Sequence, residues 1–198
     1  MREEQILELA KQTGFVRPRD LIALGIPRVY LSRMVDKELL VRYGRGLYAL
    51  PDAPIGEHHS LAQIAKQVPE GVICLLTALR FHDLTTQAPF EVWLAVAAKA
   101  RQPSLDTPQL RVVHFSGKAF TEGVESHTVE QVPVRLYNPA KTVADCFKYR
   151  HKIGLDVALE ALRACWQTKK CTMDELWHYA AICRVQNVMR PYLEALVL

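Results

Sequence analysis

Cysteine is scarce in this chain of 198 residues, and its five copies are scattered without a CxxC pair. That spacing argues against a disulfide framework and against a zinc site, so we expect reduced thiols. Long apolar runs are also missing, since Val72–Leu76 and Val92–Ala98 are far too short to span a bilayer. The charged N-terminal segment MREEQILELAKQ lacks the apolar stretch of a signal peptide. We therefore expect a soluble, cytoplasmic protein with no membrane partner.

Common catalytic motifs are missing as well. The sequence has no Walker-type Gly-Lys-Ser/Thr loop, no GxSxG and no HExxH. None of the 21 acidic residues is followed two positions later by lysine, the arrangement that restriction-type nucleases commonly use to hold a metal. Three local patterns suggest catalysis, and each has a simpler interpretation. His82-Asp83 can be a helix-end histidine making a local bond, and Lys141 and Asp145 can form an i, i+4 ion pair. In Glu57-His58-His59 the adjacent histidine side chains diverge, so they do not suit a shared metal ion. We expect no enzyme activity, no cofactor and no metal site.

Positive charge is concentrated in one short window. The net charge of the whole chain is +4. Residues 15–50 contain seven basic and three acidic residues, so this window accounts for the entire net charge and the rest is neutral overall. A local basic surface beside a neutral body is the electrostatic footprint of a nucleic-acid-binding module.

The N-terminal part of the chain has the helix pattern of a helix-turn-helix. Apolar spacing predicts a first helix over Arg2–Thr13, and Pro18 lies where a second helix would begin. Gly25 permits a sharp turn, and Pro27 would begin the third helix. The third helix of such a module enters the DNA major groove, so DNA binding is the leading hypothesis.

Two short strands are predicted after the third helix, over Leu39–Val41 and Leu47–Leu50, with a basic, glycine-rich turn at residues 42–46. They would form the wing of a winged helix-turn-helix. Arginine can bond guanine, serine can read several bases, and valine can contact a thymine methyl group, whereas lysine and the wing cations suit phosphate. The candidate DNA-binding residues are Arg28, Val29, Ser32, Arg33, Lys37, Arg42, Tyr43 and Arg45. Asp36 faces the same way and would be repelled by phosphate, which counts against this reading.

A linker is predicted at residues 51–56, where two prolines and a glycine interrupt regular structure. It would separate a DNA-binding domain at 1–50 from a second domain at 57–198. We predict helices at Glu57–Val68, Val72–Phe81, Asn138 to about Arg150, Leu155–Gln167, Thr172–Cys183 and Asn187–Leu196, and strands at Phe90–Ala97, Leu110–Phe115, Val124–Val129 and Val132–Tyr137. The fold class is therefore α+β, with a central, mainly antiparallel sheet and a helical C-terminus.

Basic residues recur in the second domain. Lys148, Arg150 and Lys152 lie close together in sequence and form a candidate second nucleic-acid surface. Solvated helix charges are the simpler interpretation of the same residues.

The sequence resembles the AbiEi family, the antitoxin components of type IV toxin–antitoxin systems in bacteria. The N-terminal part of the resemblance is GRGLYALPD at Gly44–Asp52, the end of the predicted wing. The more specific part comprises LLTALRFHDLTTQ at Leu75–Gln87, NPAKTVADCFKYRHKIGLDVALEALR at Asn138–Arg163 and MRPYLEAL at Met189–Leu196.

The resemblance implies a transcriptional repressor that binds inverted repeats in double-stranded DNA upstream of its own operon. It further implies that the second domain helps to neutralise a nucleotidyltransferase-type toxin without forming a stable complex with it. Two other classes stay open from the residues alone: a winged-helix protein-interaction module and a nucleic-acid-modifying enzyme. The oligomeric state does not follow from the sequence.

Overall fold

The computed structural model describes residues 2–105 and 107–196. The chain forms two compact units. The first comprises Met1–Pro69, Pro103–Gln109 and His127–Val134, and the second comprises Glu70–Gln102, Leu110–Ser126 and Arg135–Leu198. The domain division at residues 51–56 stays a prediction. Across the described ranges, every helix falls short of the length and apolar character needed to cross a bilayer.

The first unit is built from helices and one hairpin. Its elements are α1 Arg2–Thr13, α2 Pro18–Ile22, α3 Val29–Asp36, β1 Val41–Gly44, β2 Leu47–Ala49 and α4 His59–Gln67. One apolar face of each of the first three helices meets in a common core, to which the helices contribute Ile6, Ala10, Leu21, Leu31 and Met34. The prediction for α1 is confirmed, and so is Pro18 as the first residue of α2.

A second small core in the first unit includes Phe15, Leu47, Ala62 and Val132. Gly14 lies beside it with φ +69, and a Cβ at this position would lie 2.3 Å from the Glu130 carbonyl oxygen. Only glycine therefore fits the bend between α1 and Phe15.

The second unit contains most of a five-stranded sheet and most of the helices. The strands are β3 Val72–Ile73, β4 Val92–Ala97, β5 Leu110–Phe115, β6 Val124–Val129 and β7 Val132–Tyr137, in the order β5-β4-β3-β7-β6. The helices are α5 Leu75–Phe81, α6 Lys118–Thr121, α7 Pro139–Lys148, α8 Arg150–Ile153, α9 Leu155–Gln167, α10 Met173–Cys183 and α11 Gln186–Ala195. The α+β class is confirmed.

The sheet is mixed, so the prediction of a mainly antiparallel sheet is wrong. β3 pairs antiparallel with β4, but β3 also pairs parallel with β7, and β4 pairs parallel with β5. A parallel pair such as β4–β5 needs a crossover connection between its strands, whereas antiparallel neighbours can be joined by a hairpin. The central strand β3 has only two residues, and the sequence analysis placed it inside a helix.

Helix α7 lies at the centre of the second unit's core. All of its residues from Ala140 to Phe147 are buried. The predicted N-cap is confirmed, because the Asn138 side chain accepts a hydrogen bond from the Lys141 amide at 2.8 Å. The predicted capping box on α10 is confirmed as well, with Thr172 and Glu175 bonding each other's backbone amides.

Several element boundaries differ from the predictions. The predicted helix Val72–Phe81 is wrong at its start, since Val72–Ile73 form β3 and only Leu75–Phe81 are helical. The residues from Val72 to Leu75 are all buried. Their apolar periodicity therefore does not distinguish a strand from a helix. The predicted strand Leu39–Val41 instead begins at Val41 and continues into the predicted turn.

Candidate nucleic-acid interface

Helix α2 is fixed at its N-terminus by the Arg17–Asp20 pair. The Asp20 carboxylate accepts a hydrogen bond from the Arg17 amide at 2.9 Å, and the Arg17 guanidinium bonds the same carboxylate at 3.1 Å. The guanidinium also donates to the Lys66 carbonyl. Arg17 is therefore a structural residue, although it contributes to the positive charge of the window.

The turn between α2 and α3 depends on Gly25, which has φ +64. The Ile26 amide donates to the Leu21 carbonyl at 3.0 Å, and the Gly25 amide donates to the Ile22 carbonyl at 3.0 Å. These are the two hydrogen bonds of a Schellman motif, which satisfies carbonyl groups at a helix end. Ile26 is buried beneath the turn and fixes the direction in which the chain enters α3.

Helix α3 has one buried and one exposed face. Leu31 and Met34 are buried in the first unit's core, and Val35 is half-buried. All five candidate residues on or next to this helix are exposed, namely Arg28, Val29, Ser32, Arg33 and Lys37. Asp36 is exposed among them. The structure therefore brings the predicted recognition residues together on one accessible surface.

Arg33 lies against an aromatic ring. Its guanidinium carbon is 5.7 Å from the centre of the Tyr30 ring, and the guanidinium carbon of Arg2 is 5.8 Å from the same ring. Arg2 also donates a hydrogen bond to the Tyr30 hydroxyl at 3.4 Å. These cation–π contacts restrict the directions in which Arg33 extends from the helix.

Lys37 forms an exposed ion pair with Glu3 of α1, at 2.7 Å between Nζ and Oε1. The pair offsets the charge that Lys37 offers to a phosphate. Exposed pairs of this kind are weak, so a phosphate group can compete with Glu3 for the lysine.

The β1–β2 hairpin follows α3 and carries the other candidates. Arg42 pairs with Tyr48, Gly44 pairs with Leu47, and the register shifts between them. Gly46 has φ +68 in the turn. Arg42 and Arg45 are exposed, and Arg42 Nε donates to the Gly44 carbonyl at 3.1 Å. Two cations are thus held at the end of a short hairpin.

Tyr43 differs from the other candidates because it is half-buried. Its ring centre is 5.7 Å from that of Phe15 and 5.1 Å from that of His59. The ring helps to cover the small core of the first unit. A contact from Tyr43 to DNA stays a prediction that would depend on its exposed edge.

The residues of the candidate second surface have separate surroundings. Lys148 is exposed, whereas Arg150 is half-buried and donates to the Phe147 carbonyl at 3.0 Å. Lys152 lies 5.5 Å from the centre of the Tyr149 ring. Arg150 and Lys152 therefore have local structural contacts, and a nucleic-acid role for the three residues stays a prediction.

The three patterns that suggested catalysis have structural partners. His82 Nε2 donates to the Tyr137 carbonyl at 2.8 Å, so the histidine bonds a distant strand. His59 Nδ1 lies 2.6 Å from the Glu130 carboxylate, which also accepts from the Gly56 amide. Within the described ranges, no three histidine, cysteine or acidic side chains are placed to share a metal ion.

Lys141 and Asp145 form a buried ion pair. Lys141 is fully buried and Asp145 is 2% exposed, with Nζ 2.6 and 2.7 Å from the two carboxylate oxygens. The Cys183 thiol donates to Asp145 at 3.2 Å. Burial raises the pKa of the Asp145 carboxyl, and the charge of Lys141 opposes that rise. The predicted i, i+4 ion pair is present, but the sequence spacing does not indicate that both of its side chains are buried.

Sequence reasoning missed the role of Arg2 and Tyr30 beside Arg33. Arg2 belongs to α1 and is 28 positions from Tyr30, so helical spacing within α3 gives no indication of the contact. An aromatic residue three positions before an arginine on one helix is the one local signal available.

Comparisons with known proteins concern the fold of the chain and the family of its N-terminal residues. The crystal structure of the RV2827C protein from Mycobacterium tuberculosis is similar in fold, with a TM-score of 0.58 and 12% sequence identity over 91% of this chain and 71% of that one. No curated protein gives a significant sequence match. The profile of the family described as "Transcriptional regulator, AbiEi antitoxin" matches residues 4–51. This match spans α1 to β2 and includes every candidate DNA-binding residue. The resemblance to the AbiEi antitoxin family of transcriptional regulators that was predicted from the sequence is thereby confirmed for residues 4–51.

Proposed function

We propose that the first unit is a winged helix-turn-helix that binds double-stranded DNA. Helix α3 would enter the major groove, and the β1–β2 hairpin would be the wing on the adjacent backbone. One observation carries the proposal: α3 directs Leu31 and Met34 into the core while Arg28, Ser32 and Arg33 stay exposed on its opposite side. A buried anchor with an exposed basic face is what a recognition helix requires.

The order of elements supports the same proposal. The segment before α2 forms a bridge with the hairpin, since Val16 and Tyr48 exchange two backbone hydrogen bonds of 2.8 and 3.0 Å. This bridge ties the hairpin to the start of α2. The bridge therefore fixes the position of the hairpin arginines, Arg42 and Arg45, relative to α3. A fixed position would let α3 contact bases in a groove while the hairpin contacts the adjacent phosphate backbone.

The biological role that we propose is repression of the chain's own operon through an inverted-repeat operator. The family match supports a regulatory and antitoxin function for the chain. The counterpart would be a nucleotidyltransferase-type toxin that the chain opposes without stable association. On this account the protein is cytoplasmic and acts without a cofactor.

A protein-interaction role is the second candidate, and one observation favours it. Ile22 is 75% exposed, and Leu24 and Val29 are each 46% exposed, so apolar side chains lie around the turn before α3. Exposed apolar groups in one place are typical of protein contacts. The exposed acid Asp36 is also more compatible with a protein partner than with phosphate.

Fluorescence anisotropy distinguishes the two candidates. The titration uses DNA from upstream of the chain's own gene and a scrambled duplex of equal length, each at two salt concentrations. We expect tighter binding to the upstream duplex and a steep loss of affinity at higher salt, because several phosphate contacts release counterions. Equal binding to both duplexes, or none, would favour the protein-interaction role.

A further inference from the structure

A cavity of about 490 Å³ opens in the second unit. Residues from β5, α6, the end of α7 and the end of α10 line it. Its volume lies within the range of roughly 300–1,000 Å³ that is typical of small-molecule sites. Phe115, Asp145 and Cys183 form its buried inner end, whereas Lys148 and Arg184 are exposed at its opening.

Three cations from three different elements converge on the opening: Lys118, Lys148 and Arg184. Lys148 and Arg184 lie at the C-terminal ends of α7 and α10, where a cation offsets the helix dipole. Lys118, the first residue of α6, has a different local partner, because it forms an exposed i, i+4 ion pair with Glu122 at 3.5 Å between Nζ and Oε1. Among the described residues that line the cavity, Asp145 is the one acid. The opening therefore favours an anion.

The inner end of the cavity offers an acceptor for a hydrogen bond. Asp145 receives two hydrogen bonds from Lys141 and one from the Cys183 thiol. An ionised carboxylate has about four lone-pair positions, so one is left for a donor on a ligand. A group placed here would be far from water, where a single well-aligned hydrogen bond discriminates strongly.

Aromatic rings form part of the wall between these two ends. Phe115 and Tyr149 both line the cavity, and their ring centres are 5.7 Å apart. Burial raises the pKa of Tyr149 to about 12, so its hydroxyl stays protonated at neutral pH. The wall thus combines apolar ring surface with a hydrogen-bond donor.

We propose that this cavity binds a mononucleotide. The phosphate would lie between Lys118, Lys148 and Arg184 at the opening, and the base would extend along Phe115 and Tyr149. An N–H group of the base would reach the remaining acceptor position of Asp145. A nucleotide has these three features: an anionic end, a planar ring and a hydrogen-bond donor on that ring.

Isothermal titration calorimetry on the full chain tests the proposal. The probes are AMP, GMP, CMP and UMP, compared with adenosine, ribose 5-phosphate and inorganic phosphate. We expect at least one nucleotide to bind with an affinity about tenfold or more above that of every fragment, because both ends of the cavity contribute.

Two variants and one matched control locate the binding. Lys148→Glu should weaken nucleotide binding by about tenfold or more, since it replaces an attracting charge with a repelling one. Arg190→Glu makes the same charge change at an exposed residue of α11 that does not line the cavity, so its effect should be less than about twofold. Ile182→Trp should abolish binding by filling the cavity, and an unchanged melting temperature would show that the variant is folded.

Several results would overturn the proposal. Inorganic phosphate that binds as tightly as the nucleotides would reduce the cavity to a simple anion site. Equal losses in Lys148→Glu and Arg190→Glu would show that a diffuse basic surface holds the ligand. Displacement of nucleotide by a short single-stranded oligonucleotide of higher affinity would assign the cavity to a nucleic-acid strand.

Discussion

The exposed arginines of the first unit and the buried Lys141 of the second unit use positive charge in opposite ways. In the first unit, the arginines of α3 and the hairpin are exposed, and the helix is anchored by apolar residues on its other side. In the second unit, Lys141 is fully buried against Asp145 in the middle of α7. An exposed cation stays free to bind an external anion, whereas a buried one is committed to an internal partner. Burial therefore separates binding residues from structural residues more clearly than residue type does.

The largest effect that we predict is the loss of the buried lysine. Lys141→Ala should lower the free energy of unfolding by about 3–5 kcal/mol, because Asp145 would be left as a buried charge without its partner. Chemical denaturation monitored by circular dichroism measures this change. Lys148→Ala is the matched control on the same helix and should change stability by less than about 0.5 kcal/mol, since that lysine is exposed.

The double variant Lys141→Met/Asp145→Leu tests whether the stability lost in Lys141→Ala is due to the unpaired carboxylate of Asp145. Replacement of both charges by apolar side chains should recover most of the stability lost in the single variant, because a buried pair contributes little beyond its own desolvation cost. A double variant as unstable as Lys141→Ala would show that the pair itself, and not the orphaned carboxylate, determines stability.

A smaller effect concerns the pH dependence of stability. Burial raises the pKa of the Asp145 carboxyl, so the folded protein holds this proton more tightly than the unfolded chain does. The contribution of Asp145 to stability is therefore complete below the ordinary carboxyl pKa and is lost as pH rises through the raised value. Asp145→Asn should flatten the fall in stability that begins as pH rises above the ordinary carboxyl pKa of about 4. Denaturation at a series of pH values compares the two proteins, and identical profiles would contradict the burial argument.

On the exposed side, Arg33→Ala should weaken binding to the operator by ~1–3 kcal/mol and affect non-specific DNA less, if this arginine reads a base. Arg45→Ala should weaken both about equally, since a phosphate contact carries no sequence information. Anisotropy with operator and scrambled duplexes measures both. An Arg33→Ala protein that still distinguishes the operator fully would exclude Arg33 as the recognition residue.

The smallest effect belongs to the exposed ion pair. Lys37→Ala should reduce the free energy of unfolding by less than about 1 kcal/mol, although its contact with Glu3 at 2.7 Å is as short as that of the buried pair. Thermal unfolding at low and high salt measures the difference. A loss of unfolding free energy as large as that of Lys141→Ala would contradict the conclusion that an exposed ion pair contributes less to stability than a buried one.

Local signals predicted much of the fold correctly. Pro18, Asn138 and Thr172 act through their own backbone geometry or through bonds to residues three positions away, so their roles are visible in the sequence. β3 was missed because two buried residues carry no periodicity, and the mixed sheet was missed with it. Strand order depends on contacts between residues far apart in the chain, which no local pattern encodes.

The same contrast between local signals and contacts of distant residues applies to the candidate site. The exposed face of α3 was predictable because helical spacing fixes which residues oppose Leu31 and Met34. The contacts of Arg2 with Tyr30 and of Glu3 with Lys37 were not predictable from the pattern of α3, because Arg2 and Glu3 come from another helix. The cavity of the second unit was not predictable, since its cations come from three separate elements.

The most direct test of the central claim compares charge reversal in the two units. Arg28→Glu/Arg33→Glu changes the exposed face of α3, and Lys148→Glu/Lys152→Glu makes an equal charge change in the second unit. Anisotropy with the upstream duplex over a salt series gives the affinity and its salt dependence for each protein. The account predicts that the first pair abolishes specific binding, while the second leaves both the affinity and the salt slope unchanged. Loss of binding in the second pair alone would contradict the assignment of DNA recognition to the first unit.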